Sequence, residues 1–155
     1  MAIIILLLFF MIYAYYSVEH DVENLQYTFS NVSYMGGHPQ ANVSTKYGIL
    51  YVSENNVSFC YADNSENIFE IPISKIKNCT IETKESLVLG SKVGIFAGDL
   101  KKSKEYIRIE FKYKHSNLQN VIFYSSITPP VSIIGAINET KINYIKNRRF
   151  ERGEV

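Results

Sequence analysis

The chain has 155 residues, with 16 basic against 15 acidic side chains and a formal net charge of +1. That length accommodates one domain plus a tether, and so even a balance excludes the broad basic field on which nonspecific nucleic-acid binding depends. Abundant tyrosine (12) and phenylalanine (9), with no tryptophan and few glycines and prolines, suit a β-rich globular domain and exclude a disordered chain.

Residues 1–16, MAIIILLLFFMIYAYY, carry no charged side chain. As a helix rising ~1.5 Å per residue they span about 24 Å, slightly short of the roughly 30 Å hydrocarbon core, a gap that Val18 and local bilayer thinning close. Tyr13, Tyr15 and Tyr16 gather at the far end, where amphipathic rings prefer the headgroup region. The competing reading, a cleaved signal peptide, wants a basic leader and small residues before the cut. No Lys or Arg precedes the run, and Tyr15 and Tyr16 occupy the obvious cleavage positions. The pattern predicts a single-pass transmembrane anchor over 1–18 and a polar linker over 19–26. The first lysine is Lys46, so the rule that weighs cations beside a span has almost nothing to count, and leans if anything towards an external domain.

Residues 27–34, with Tyr27, Phe29 and Val32, predict a first strand, broken by Gly36-Gly37 and by Pro39, which cannot donate to a ladder. Residues 46–61, KYGILYVSENNVSFCY, read as a hairpin about the polar turn at Glu54-Asn55-Asn56, with β-branched and aromatic residues on both arms. A strand follows over 68–73, which Pro72 ends or confines to an edge. After a turn at 74–76 comes a strand over 77–83. Along 106–114, Ile107, Ile109, Phe111 and Tyr113 alternate with Arg108, Glu110, Lys112 and Lys114, the period of two of a half-buried strand. Asn117 marks a turn into a returning strand over 120–125. Pro129-Pro130 stops the sheet, and 131–150 predicts a helix with a broad apolar side of Ile133, Ile134, Ile137, Ile142, Tyr144 and Ile145. Lys141 intrudes on that side and is expected to snorkel; Arg148, Arg149 and Arg152 sit where cations favour the helix dipole.

The motifs in the first two-thirds of this array, Tyr34-Met35-Gly36-Gly37-His38-Pro39, then Gly48-Ile49-Leu50-Tyr51-Val52, then Phe69-Glu70-Ile71-Pro72-Ile73, together with the order of seven strands and one helix, resemble the GRAM/PH-like domains of small prokaryotic membrane-anchored proteins. The resemblance covers 27–150, leaving 151–155 as a tail. It implies a mainly β fold: a PH-like partial barrel of about seven antiparallel strands with one C-terminal helix. It further implies that this barrel binds lipid headgroups or a protein segment without catalysis, on the cytoplasmic side of the membrane. Many phosphoinositide-binding members place several basic residues between the first two strands. Here residues 36–45 hold only His38, with Lys46 just beyond, a departure from that recognition chemistry.

The candidate site is the segment 87–104, LVLGSKVGIFAGDLKKSK, read as an exposed loop. Leu89, Val93, Ile95 and Phe96 followed by Lys101, Lys102 and Lys104 join apolar residues to lysines, which suits contact with a membrane carrying anionic headgroups. The plainer reading is an ordinary strand and hairpin loop packed on the barrel. Gly90, Gly94 and Gly98 do not make a nucleotide loop, since the Gly-Lys-Ser/Thr ending is missing. His20, His38 and His115 have no nucleophile or orienting acid close in sequence, and a catalytic site needs base, orienter and charge-stabilising hole together. Cys60 and Cys79 cannot supply the four donors of a zinc site. They read as buried thiols, or as a disulfide if their strands are neighbours in an oxidising compartment. Five Asn-x-Ser/Thr sequons, at Asn31, Asn42, Asn56, Asn78 and Asn138, follow from an Asn- and Ser-rich composition; in an external domain the loop positions Asn42 and Asn56 are the usable ones. The expectation is a noncatalytic membrane-anchored binding or adaptor module with no cofactor, whose partners are membrane lipid and an unknown protein. The alternative is an extracytoplasmic structural or interaction domain.

Overall fold

The computed structural model describes residues 25–41, 46–62, 67–90, 103–114 and 117–153. Seven strands, β1 (Leu25–Gly36), β2 (Lys46–Ser53), β3 (Asn56–Tyr61), β4 (Asn67–Pro72), β5 (Ile76–Thr83), β6 (Glu105–Lys112) and β7 (Leu118–Ser125), are joined by a 3-10 turn at Ile73–Lys75 and by helix α1 (Lys84–Gly90), and end in helix α2 (Pro130–Glu151). All pairings are antiparallel and form one sheet in the order β4-β3-β2-β1-β7-β6-β5. The mainly β class with one closing C-terminal helix is therefore as expected. Pro72 lies at the end of β4, an edge strand, where its missing N–H costs no ladder bond. β1 begins at Leu25, inside the expected linker. The expected anchor at 1–18 lies outside the described residues, and no helix among those described is long and apolar enough to cross a membrane.

The first strand changes phase partway along. Tyr27 and Phe29 pack against the core from odd positions, Val32 and Tyr34 from even ones. A strict two-residue period would turn one of these pairs outward. Asn31 removes the conflict: it adopts φ 54 at an irregularity where Phe29 pairs with Leu50 and Val32 with Gly48. Asn tolerates this left-handed conformation better than most residues, and the bulge it makes resets the side-chain alternation. From Val32 onward β1 also pairs with β7, so the bulge stands where the second half of the sheet joins the first.

The core is one cluster centred on aromatic rings. Tyr34 packs its ring 5.8 Å from Phe59, 5.2 Å from Phe69 and 5.9 Å from Phe123. Gly48 in β2 gives these rings room, since a Cβ there would stand 2.6 Å from the Phe59 ring and 2.0 Å from the Cys60 carbonyl oxygen. A second, smaller cluster of Met35, Leu87, Tyr106 and Ile122 lies apart from it. This corrects the reading of 87–104 as an exposed loop from its first residue: Leu87 is buried on α1. The helix starts there because Thr83 and Ser86 cap each other reciprocally. Thr83 Oγ1 accepts from the Ser86 N–H at 3.3 Å and Ser86 Oγ accepts from the Thr83 N–H at 3.0 Å, a capping box with Ser in place of the usual Glu.

Helix α2 begins with Pro130 in its first turn, where a missing N–H is harmless. Its buried residues are Ile133, Ala136, Ile137 and Thr140, the spacing of one helical face. Ile134 and Tyr144 pack at the margin of that face. The expected broad apolar side is thus narrower than the sequence suggested. Ile142 and Ile145 are exposed because, at 100° per residue, Ile142 falls on the side opposite Ile133. Lys141 does snorkel: its Nζ donates to the Lys77 carbonyl at 3.0 Å, where β5 is bulged against β6. Truncating Ile137 to Ala should cost about 2–5 kcal/mol, whereas Ile142→Ala should shift stability by less than about 0.5 kcal/mol. Urea unfolding of the full chain in nonionic detergent measures both; equal losses would contradict the assignment of the two faces.

Candidate functional site

The sheet is open, because β4 and β5 are its two edges and do not pair with one another. What lies across the gap is the loop after β1. Gly36 and Gly37 take φ of 126° and 103°, and a Cβ on Gly37 would collide with the Asn120 carbonyl oxygen at 2.0 Å, so only glycine lets this loop pass over β7. The turn delivers His38, which is 3% exposed, into the interior. Its ring stacks on Phe69 of β4, with centroids 4.1 Å apart, and on Phe111 of β6 at 5.4 Å, while Tyr113 meets it edge-on at 5.9 Å. A stacked imidazole thus bridges strands that share no backbone hydrogen bond.

The polar atoms of His38 are unequally satisfied. Its backbone N–H donates to Tyr34 Oη at 2.9 Å, and the Gln40 N–H donates to its Nδ1 at 3.3 Å. With Nδ1 accepting, the ring proton of the neutral imidazole sits on Nε2. That buried Nε2 has no hydrogen-bond partner among the described residues. Burial also pushes the pKa down to about 4, so the ring is neutral at pH 7.

A cavity of about 420 Å³ opens along the same seam. Its walls are Glu70 and Pro72 of β4, Lys75 of the 3-10 turn, and the 111–114 segment at the end of β6. Phe111 and Tyr113, the two rings behind it, are also ring partners of His38. Three lysines, Lys75, Lys112 and Lys114, line it with one acidic residue, Glu70, whose carboxylate accepts from the Asn67 side-chain amide at 2.9 Å; the Lys114 Nζ stands 5.7 Å from the centre of the Tyr113 ring. Lysines beside aromatic residues suit a small anionic group on an organic body, the cations meeting the charge and the rings the carbon skeleton. A second groove of about 340 Å³, between the β2–β3 turn and α2, presents mostly amides and carboxylates, among them Asn143, Asn147, Glu54 and Glu151, with Arg148. Its charges are mixed. Among the described residues no group of three His, Cys, Asp or Glu could hold a metal ion.

The residues singled out in sequence are only partly described. Leu89 lies in α1; Val93, Ile95, Phe96, Lys101 and Lys102 fall outside the described residues. Lys104 is exposed just before β6, with its Nζ 5.5 Å from the centre of the Tyr124 ring, and its hydrogen bond to Tyr124 raises its pKa. Cys60 and Cys79 are free, on β3 and β5, which are not neighbours in the sheet. Burial raises both thiols, that of Cys79 to about 12. In sequence Lys112 and Lys114 read as the polar half of an alternating strand and Lys75 as part of a turn. Nothing in sequence joins Lys75 to Lys112 and Lys114; the available hint was a histidine between a Gly-Gly turn and a proline.

Because His38 is held below its unfolded value of about 6.5, the unfolded chain binds more protons between pH 6.5 and 4. Stability from the buried neutral ring is therefore complete above about pH 6.5 and is lost as the pH falls towards 4, by at most about 3 kcal/mol. His38→Phe should flatten this part of the stability–pH curve while keeping the stacking. Denaturation midpoints of both proteins at pH 7.5 and 4.5 test this, and parallel curves would show that His38 does not titrate on unfolding.

No protein-family model matches this sequence, and no curated protein does. Among solved structures, the crystal structure of the FERM and C-terminal domain complex of Drosophila Merlin is similar at 13% identity and a TM-score of 0.48, over 78% of this chain and 32% of that one. The chain thus spans about a third of the length of the protein it resembles there.

Proposed function

We propose that this chain is a noncatalytic, membrane-anchored binding module: a PH-like partial barrel that takes an anionic headgroup at the seam between β4 and β6. The observation that carries this reading is the cavity lined by Lys75, Lys112 and Lys114 together with Phe111 and Tyr113. In the family it resembles, phosphate recognition uses the first loop, which here contributes His38 to the interior. The cations come instead from the 3-10 turn and the end of β6. Lysine ammonium groups suit a phosphate ester as mobile point charges, each donating to whichever oxygen is nearest. The uncharged 1–16 run supports tethering this surface to a bilayer, where headgroups are concentrated. A protein segment bearing a carboxylate or phosphate would satisfy the same cations, and the titration below separates the two.

The full chain in nonionic detergent should bind glycerophosphate saturably by calorimetry, and bind micelles doped with phosphatidylserine more tightly. Lys112→Glu combined with Lys114→Glu should weaken both by about tenfold or more, since a hydrogen bond to a charged group contributes about 1.5–3 kcal/mol. Ile142→Ala, which lies outside the seam, should leave glycerophosphate binding unchanged. Absence of binding in the unaltered chain, or equal affinity in the double variant, would remove the seam from consideration.

A further inference from the structure

Helix α2 continues well past the core it covers. Beyond Thr140 no described residue is fully buried: over the last ~16 Å of the helix, Lys141–Glu151, only Tyr144 packs on the core margin, Lys141 reaches the Lys77 carbonyl, and the opposite side stays open. This overhang is not a plain solvated terminus. On the side opposite Ile133 and Ile137, Ile142 is 54% exposed and Ile145 44%, and Val131 continues the same line at the start of the helix. Phe150, at 77%, flanks the line. Lys146 and Arg149 fall between these apolar residues at helical spacing, and Arg148 and Arg152 extend the basic end. Over 141–152 there are five cations and a single carboxylate, Glu151, in a protein whose overall charge is +1. The helix therefore has two apolar sides, one spent on the barrel and one interleaved with positive charge.

The beginning of the fold lies against this same helix. Tyr27 Oη donates to Glu139 Oε2 at 2.8 Å, fixing the start of β1 beside the middle of α2. Tyr27 is eleven residues beyond Tyr16, the last residue of the uncharged 1–16 run, a reach of at most about 40 Å even if fully extended. Whatever surface that run enters, the outward side of α2 is held within a short tether of it.

We propose that the outward side of α2, Val131, Ile142, Ile145 and Phe150 with Lys146 and Arg149, rests on the anionic bilayer and sets the orientation of the barrel there. Apolar residues of this size enter the headgroup–acyl boundary, while long cationic side chains beside them reach anionic headgroups. A second copy of the chain would meet five like charges on the same helix end, a repulsion that an anionic surface turns into attraction. The inference rests on the membrane-anchored reading above for the identity of the surface, and is independent of whether the seam binds a headgroup.

The test uses the full chain with Ile145→Cys, labelled with an environment-sensitive fluorophore at neutral pH. Cys60 and Cys79 remain protonated there, because burial raises both thiols, and label slowly. The labelled chain is reconstituted into vesicles of phosphatidylcholine alone or with phosphatidylserine, carrying a lipid-borne quencher. Flotation with the vesicles reports on the anchor; quenching at position 145 reports on the helix. The expected result is flotation with both lipids, with quenching that is strong only where phosphatidylserine is present. Lys146→Glu with Arg149→Glu should then reduce the lipid-contacting population by about tenfold without changing flotation. Flotation without quenching in either lipid would overturn the helix contact and leave the anchor standing. Failure of both would overturn the two together. Label-to-label self-quenching in place of lipid quenching would show that a second copy occupies the face, and would also overturn the proposal.

Discussion

The packing of Tyr34 is the contact on which the remaining structure depends. Its ring joins Phe59, Phe69 and Phe123, which come from three different strands, and its hydroxyl is carried into the interior with them. A buried hydroxyl requires a partner, and the one it finds is the backbone N–H of His38. That bond draws the β1–β2 loop inward, and with it an imidazole that fills the space between Phe69 and Phe111. An open sheet leaves two unpaired edges and a core exposed between them. Here the gap is spanned by a stacked ring, and part of the sheet is covered by the buried face of α2.

This arrangement explains why the cavity lies where it does. His38 joins the β4 and β6 sides of the open sheet through rings, so no ladder of backbone bonds zips them together and a cleft persists beside the aromatic pair. The residues available to rim such a cleft are those leaving the ends of β4 and β6, and three of them are lysines. The neutral state of His38 follows from the same geometry: stacking between two phenylalanines buries the ring, and burial disfavours the charged form. The lysines in front remain the carriers of charge at the seam.

Charge elsewhere is paired or segregated in ways that the total hides. Arg108, on β6, is held by Glu82, Glu110 and the Asn120 side chain, so this cluster is largely neutralised. At the end of α2 Arg148 pairs with Glu151 at 4.0 Å, but five cations share that single carboxylate over 141–152, and the seam is lined by three lysines and one glutamate. A net charge of +1 thus hides two positive regions, offset by an excess of acidic over basic residues in the rest of the chain. Both positive regions adjoin exposed or cavity-lining apolar groups, a combination suited to an interface between water and lipid.

Much of the fold was legible because its signals are local. Alternation of Ile107, Ile109 and Phe111 with charged residues marked β6, Pro129-Pro130 marked the start of α2, and Pro72 marked an edge. Even the change of phase in β1 is written in the apolar residues on either side of Asn31. Helix α1 was missed because Thr83 and Ser86 make an unusual capping box in a short segment adjoining a long apolar run. The two sides of α2 were merged because a list of isoleucines at mixed helical spacing does not reveal which of them meets the sheet. The candidate site was the least legible part: Lys75 is far in sequence from Lys112 and Lys114, and they share a cavity only because His38 holds β4 opposite β6. The sequence by itself determined the strands, the terminal helix and an uncharged leading run, since dihedral preference and apolar period act between near neighbours. Only the tertiary structure decided which residues share a cavity and which face of α2 stays open, because both depend on contacts between strands that are distant along the chain.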